Sequence, residues 1–94
     1  MNKAGFESRL RKQGYENIGQ REMAADVVNE AHTHDFDAQV LVVDGEITIV
    51  RDGIAHTFRK GDTCELPAGT KHAERVGPEG VRYIAGRRQP AATG

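Results

Sequence analysis

The sequence is poor in the residue types that most readily reveal the class of a protein. Its 94 residues include one cysteine, three prolines and no tryptophan, and aromatic residues make up only 5%. A single cysteine excludes a framework of intramolecular disulfides, which agrees with a reducing compartment. No apolar run approaches the roughly 18 residues of a membrane-spanning helix, and no apolar leader follows the N-terminus. We therefore expect a cytoplasmic protein with no membrane partner.

Neither sign of charge predominates. Lysine and arginine total 13 against 14 aspartates and glutamates, for a net charge of -1. No basic run is interleaved with aromatic residues, so nucleic acid is not an expected partner. One small domain takes up the whole length, and we expect no residues to remain for a helix-turn-helix. Ser8, the only serine, falls in a predicted helix, so a serine nucleophile is not expected either.

A short helical pattern precedes a series of short strands. Within residues 3–13, Phe6 and Leu10 share one helix face, and Gly14 suits a left-handed cap. Strands are predicted at residues 16–22, 25–29, 31–35, 38–43, 46–51, 54–59, 63–66, 71–76 and 80–86.

Turn residues separate these strands. Asp44-Gly45 and Asp52-Gly53 are hairpin signals, and a further break is predicted at residues 77–80. The pattern predicts an all-β, antiparallel sandwich or barrel. We divide the chain into a helical segment at 1–14, the β domain at 15–88 and a flexible tail at 89–94.

Three of the four histidines are placed so that they can share one ligand. His32 and His34 lie two residues apart, and residues at that spacing on a strand point to the same face. His72 follows a turn at residues 67–69, which can bring a third imidazole alongside them. Three neutral imidazoles suit one Fe(II), Ni(II), Cu(II), Mn(II) or Zn(II) ion and leave positions open for water and substrate.

His56 and Cys64 have simpler interpretations. His56 shares strand parity with Ile54 and Phe58, so we expect it to pack in the sandwich or at its end. Cys64 shares parity with Leu66, and we expect it to be a small core residue.

Two segments together resemble the paired motifs of the cupin superfamily. They are residues 32–45, HTHDFDAQVLVVDG, and residues 61–72, GDTCELPAGTKH. The resemblance extends over about residues 15–87 and implies a jelly-roll cupin β-barrel that binds one divalent metal per chain through the three histidines. It also implies a homodimer, since similar cupins commonly associate through sheet faces.

The first motif departs from the family pattern. Asp26 stands where the family has a glycine. The family's glutamate ligand corresponds to Ala38 when counted back from Gly45, or to Gln39 when counted forward from His34. A shift of one residue swaps strand faces, so the site has either three histidines alone or an added amide oxygen. The interval to Gly45 favours Ala38. Either way the usual carboxylate is missing, so a bound ion would keep its full charge and prefer anionic substrates or thiolates.

The strand at 38–43 is apolar on both faces. Val40 and Val42 lie on one face, and Leu41 and Val43 lie on the other. A lone barrel usually has one polar face, so we expect the outer one to pack against the N-terminal helix or a second subunit.

The resemblance leaves several functions open, because cupins include dioxygenases, isomerases, lyases and binding proteins. We favour a small-molecule metalloenzyme, most concretely an oxygenase whose three-histidine site holds Fe(II), similar to the thiol dioxygenase branch. The alternatives are a non-catalytic cupin that binds or senses a small ligand, and a metal-dependent isomerase or lyase. Candidate acids and bases near strand ends are Glu30, Asp35, Asp37, Arg82 and Tyr83. The sequence selects none of them, so catalysis stays an open question.

Overall fold

The computed structural model describes residues 2–90, which form one short helix followed by six strands. The elements are α1 Lys3–Lys12, β1 Glu16–Met23, β2 Val28–His32, β3 Asp37–Arg51, β4 Ile54–Arg59, β5 Thr63–Leu66 and β6 His72–Arg88. All strand pairs are antiparallel in the order β1-β6-β3-β4, with β2 paired to β6 and β5 paired to β3. The predicted all-β class with an N-terminal helix is confirmed. No helix within residues 2–90 is long and apolar enough to cross a membrane.

Helix α1 begins and ends on local signals. The Asn2 side chain accepts a hydrogen bond from the backbone N–H of Gly5 at 2.7 Å, which caps the first turn. At the other end Gly14 has a φ of +84°. The N–H of Tyr15 then donates to the carbonyl oxygen of Leu10 at 2.9 Å. The helix therefore ends at the predicted glycine cap.

The helix covers the outer face of β3. Phe6 and Leu10 are fully buried and form a cluster with Tyr15, Leu41 and Ile84. Burial of each large apolar side chain contributes about 1.5–3 kcal/mol, so this cluster anchors the helix. The expected packing of this face against the N-terminal helix is confirmed. Because the helix covers this face, its apolar character is no longer an argument for a second subunit. The homodimer stays a prediction.

Strands β3 and β6 are longer than predicted, because each continues through an expected break. The hairpin predicted at Asp44-Gly45 is wrong, and so is the break predicted at residues 77–80. Gly45 pairs with Val81, and the register of β3 shifts on both sides of this pair. Gly45 and Gly80 have φ near +75°, and a Cβ on Gly45 would overlap the carbonyl oxygen of Gly80. The turn-forming residues build irregularities of the β-bulge type inside long strands.

These irregularities reverse which residues of a strand face inward. Before the bulge in β3, the even-numbered Ala38 and Val42 line the interior; after it, the odd-numbered Ile47 and Ile49 do so. The same change of parity occurs along β6. With strict alternation, the residues that line the interior in one half of each strand would face outward.

The hairpin predicted at Asp52-Gly53 is confirmed. Arg51 pairs directly with Ile54, which leaves a two-residue turn between β3 and β4. Both turn residues have positive φ, at 52° and 75°. This is the backbone that a tight antiparallel hairpin prefers.

The two strands predicted at 25–29 and 31–35 are replaced by the single strand β2. Asp26 has a φ of +62° and lies in a turn before β2 begins. The chain leaves β2 after His32, so His34 lies outside the strand. Strand parity therefore does not describe how His34 is oriented.

All six strands contribute to a cavity of about 760 Å³. Most of its wall is apolar, and Cys64 belongs to the buried cluster behind it, as predicted. The apolar lining comprises Met23, Val28, Phe36, Ala38, Val40, Val42, Ile47, Ile49, Phe58, Leu66 and Ala85. The predicted tail at 89–94 falls largely outside the described residues, of which Gln89 and Pro90 are exposed.

Candidate metal centre

His32, His34 and His72 come together at the cavity wall. Their ligand atoms all lie within 4.8 Å of one another. His32 and His72 are direct partners in the β2–β6 register, and their ring centroids are 4.4 Å apart. His34, two residues beyond His32, reaches the same point from the loop after β2. The grouping predicted from the sequence is therefore present, although one histidine comes from a loop.

Hydrogen bonds to the backbone orient two of these rings. The Nδ1 atom of His72 lies 2.9 Å from the carbonyl oxygen of Thr70, and that of His32 lies 2.7 Å from the carbonyl oxygen of Glu30. A carbonyl oxygen only accepts, so each Nδ1 carries a proton, and in the neutral ring each Nε2 then presents a lone pair. This arrangement matches that of metal-binding histidines, whose second nitrogen donates to a backbone carbonyl.

The Nε2 atom of His72 is a buried polar atom without a partner. Its side chain is 1% exposed, and no hydrogen bond to Nε2 is present among the described residues. Buried polar nitrogens are normally satisfied, and a ligand at this atom would satisfy it. A transition-metal ion fits this donor set.

The surroundings of His34 favour its neutral form. Partial desolvation, followed by the neighbouring imidazoles of His32 and His72, lowers the pKa of His34. Its ring stacks on that of Phe36, with 4.8 Å between the ring centroids. The Arg87 guanidinium in turn lies 4.5 Å from the centroid of the Phe36 ring. The neutral imidazole is the form that binds a metal ion.

The structure has the Ala38 register. Ala38 lines the cavity. The Gln39 side chain points to the helix, where its Nε2 donates to the Gln13 side-chain oxygen at 2.8 Å and its Oε1 accepts from Arg9 at 3.4 Å. Gln39 is therefore not part of the histidine site, and the usual ligand position holds only a methyl group.

A carboxylate that the sequence analysis missed lies beside the histidines. The two Glu74 oxygens lie 4.0 Å from Nε2 of His32 and 3.9 Å from Nε2 of His72. The Asn29 side chain donates to the Glu74 carboxylate at 2.9 Å. Glu74 is two residues beyond His72 on β6, so strand parity could have placed it on the same face. The sequence analysis considered only the family's usual ligand position, so it did not anticipate a carboxylate beside the histidines.

The candidate acids and bases divide into two groups. Glu30 and Tyr83 line the cavity, and burial raises the pKa of Tyr83. Asp35 and Arg82 are exposed and do not line it.

Asp37 has a structural role. It accepts from the backbone N–H of Ala68 at 2.8 Å and from the Arg88 guanidinium at 3.0 Å. The hydrogen bond from Ala68, followed by the one from Arg88, lowers the pKa of Asp37. Asp37 is held in this way and does not line the cavity, so it is not a candidate base.

His56 lies outside the cavity, whereas Cys64 lines it. His56 is exposed, so of the two expected placements the one inside the sandwich is wrong, and packing at its end stays a prediction; its ring stacks on Phe58 at 4.5 Å. Cys64 lines the cavity, and burial raises the pKa of its thiol. The thiol is therefore protonated near neutral pH and is a weak metal ligand.

Comparisons with known proteins agree with this architecture. The sequence profile of the cupin domain family matches residues 16–85. A structure of unknown function from Rhizobium leguminosarum has a TM-score of 0.72 and 22% identity, covering 78% of this chain and 69% of that one. The Schizosaccharomyces pombe Cnp3 cupin domain has a TM-score of 0.69 and 17% identity, covering 78% and 52%. KdgF from Halomonas sp. has a TM-score of 0.65 and 15% identity, covering 86% and 90%.

These similarities concern the fold. The chain spans about half the length of the Cnp3 structure, and all three identities are too low to carry a function across. No curated protein matches the sequence.

Proposed function

Since the chain belongs to the cupin domain family, we propose that it is a small-molecule metalloenzyme of the oxygenase type. His32, His34 and His72 hold one divalent transition-metal ion per chain, and the cavity beside them takes the substrate.

The buried Nε2 atom of His72 carries the proposal. A buried acceptor left without a partner costs about 1–3 kcal/mol. The Nε2 atom of His32 and the ring of His34 are directed to the same place. One ion would satisfy all three nitrogens at once, whereas a water molecule could donate to only two of them.

A bound Fe(II) ion would supply the redox chemistry for O₂ and a Lewis acid toward the substrate. The residues of the chain supply the remaining requirements. The apolar wall lowers the local dielectric constant and so strengthens electrostatic interactions within the cavity. Tyr83 stays protonated because burial raises its pKa, so its hydroxyl can donate a hydrogen bond to a substrate oxygen.

The charges of the lining favour an anionic substrate. Arg21 and Arg87 balance Glu30 and Glu74 in the lining, so a divalent cation would leave the cavity with a net positive charge. A small carboxylate or a thiolate is therefore the substrate class we propose.

Metal content tests the first part of the proposal. Untagged protein is analysed for metals and then reconstituted with Fe(II) without oxygen, and we expect one ion per chain. His32→Ala and His72→Ala should lose stoichiometric metal. His56→Ala is the matched control, because it removes an exposed imidazole outside the cavity. Full metal occupancy in both site variants would overturn the proposal.

Oxygen consumption tests the second part. The Fe(II)-loaded protein is screened against thiols, diketones and small carboxylates. The esters or amides of the carboxylates serve as neutral controls. We expect substrate-dependent oxygen uptake that disappears in His72→Ala. Uptake equal with neutral and anionic members of each pair would contradict the proposed substrate class.

The apolar wall supports a second candidate, a cupin that binds or senses a small ligand without turnover. Glu30, Glu74 and Tyr83 are the carboxylate and phenol groups in the described lining, and few proton-transfer groups are needed for binding alone. Saturable ligand binding by the metal-loaded protein, with no oxygen uptake and an unchanged ligand, would favour this candidate.

A further inference from the structure

We propose that Glu74 is a fourth ligand of the metal ion, so that β6 supplies the carboxylate which is missing at the usual position on β3. The inference rests on the proposed metal site. It turns a set of three neutral ligands into three imidazoles and one carboxylate.

The distances between ligand atoms support this assignment. Two atoms bound to one ion at about 2.1 Å can be no more than about 4.2 Å apart. The Glu74 oxygens lie 4.0 Å from Nε2 of His32 and 3.9 Å from Nε2 of His72, within that limit. One carboxylate oxygen thus lies near His32 and the other near His72, each at a separation that one ion can bridge.

The hydrogen bonds of the histidines suit a cation between these groups. Each Nδ1 faces a backbone carbonyl, so in the neutral ring each Nε2 presents a lone pair toward the carboxylate. Two neutral imidazoles and a carboxylate arranged in this way only accept hydrogen bonds, and their lone pairs repel one another. A cation among them turns that repulsion into attraction, which a neutral pocket for a ligand would not require.

The sheet register holds the carboxylate in this position. Glu74 pairs with Asn29 on β2, as His72 pairs with His32. The Asn29 amide donates to Glu74 at 2.9 Å and orients the carboxylate. Ala38 has only a methyl group, so β3 offers no carboxylate of its own there. Two pairs of the β2–β6 ladder, with a register shift between them, thus carry two histidines, the carboxylate and the residue that orients it.

A carboxylate ligand changes which ions the site prefers. Carboxylate oxygen is a harder ligand than imidazole nitrogen, and it favours ions such as Mn(II) and Fe(II) relative to an all-nitrogen site. It also lowers the net charge of a bound divalent ion to one, so the ion acidifies bound water less than the three-histidine set alone would.

Cobalt binding tests the role of Glu74 without depending on activity. Co(II) is titrated into the metal-free protein by calorimetry, and its visible absorption reports the ligand set. Glu74→Ala should weaken Co(II) binding by at least about tenfold, and the visible spectrum of the bound ion should change. Glu65→Gln is the matched control, because Glu65 is an exposed carboxylate on β5 outside the cavity lining. It should keep the affinity within about twofold.

Two further variants separate a ligand from a nearby charge. Acetate supplied to Glu74→Ala should restore the spectrum in a saturable way, because the cavity can accept it in place of the missing side chain. Ala38→Glu in the Glu74→Gln background should restore affinity by returning a carboxylate to the usual position. Urea unfolding of each metal-free variant measures its stability.

The outcomes distinguish this inference from the proposed function. An unchanged Co(II) spectrum in Glu74→Ala would overturn the ligand role, even if affinity falls, because a nearby charge alone would produce that result. An equal loss of affinity in Glu65→Gln would also overturn it. If Co(II) does not bind the wild-type chain, or binds equally in His72→Ala, the proposed function itself fails.

Discussion

The two faces of β3 have different roles, although both are apolar in the sequence. Ala38 and Val42 face the cavity and the histidines, whereas Gln39 and Leu41 face the helix. Both faces are buried, but only the inner one borders space that a ligand can occupy. Substitutions on the outer face should therefore change stability, and substitutions on the inner face should change binding.

The largest loss of stability should come from a substitution of Gly45, the bulge glycine that sets which residues of β3 face inward. Gly45→Ala would put a methyl group into the backbone of Gly80 and require positive φ of an alanine, so we expect a loss of about 4 kcal/mol or failure to fold. Gly53→Ala needs the same φ but meets no atom within 4 Å, and it should cost only about 1 kcal/mol. Urea unfolding of both variants measures the difference. Equal losses would mean that the bulge does not depend on this close approach.

The next largest loss of stability should come from truncation of a large side chain on the outer face. Leu41→Ala removes part of the cluster under the helix, and it should cost about 2–4 kcal/mol while metal binding per folded chain is unchanged. Val40→Ala, on the inner face, should cost about 1 kcal/mol, since its methyl groups border an open cavity. Metal loss in Leu41→Ala at full folding would contradict this separation of the two faces.

Asp37, at the start of β3, should contribute a smaller amount that depends on pH. Its pKa is lowered in the folded chain, so its contribution is complete above about pH 4 and is lost as the pH falls through the folded-state value. Asp37→Asn should cost about 1–2 kcal/mol at pH 7. The difference from wild type should narrow near pH 3, as measured by urea unfolding at both pH values. A difference that grows at low pH would contradict the assigned role.

Gln39→Ala should have the smallest effect on the metal. The side chain points to Gln13 and Arg9, so metal affinity should stay within about twofold of wild type. Calorimetric titration of the folded variant checks this value. A loss of about tenfold or more would contradict the Ala38 register.

Local patterns predicted much of this fold. The helix, most strand positions and the Asp52-Gly53 hairpin follow from apolar periodicity and turn residues, which act over a few neighbouring residues. The convergence of His32 and His72 also follows from short motifs. Metal binding by these residues remains a prediction.

The errors arise where partners far along the chain decide the outcome. Asp44-Gly45 carries the same dipeptide as the true hairpin, but the opposing strand β6 extends past it and makes a bulge out of it. Glu74 shares strand parity with His72, but its approach to His32 depends on pairing between β2 and β6. His34 was placed on a strand that ends before it. These pairings are not visible in a local window of sequence.

The pairing of β3 with β6 also determines when the site can form. Asp37 pairs with Arg88 and His32 with His72, so the ladders that gather the ligands join distant parts of the chain. Such non-local pairings carry a high loop-closure entropy and slow the folding of β proteins. We therefore expect an ion to bind a barrel that is already complete, rather than to act as a template for early folding. Its stabilisation then follows mass action, so the melting temperature should rise gradually with metal concentration, and removal of the metal should leave the chain folded.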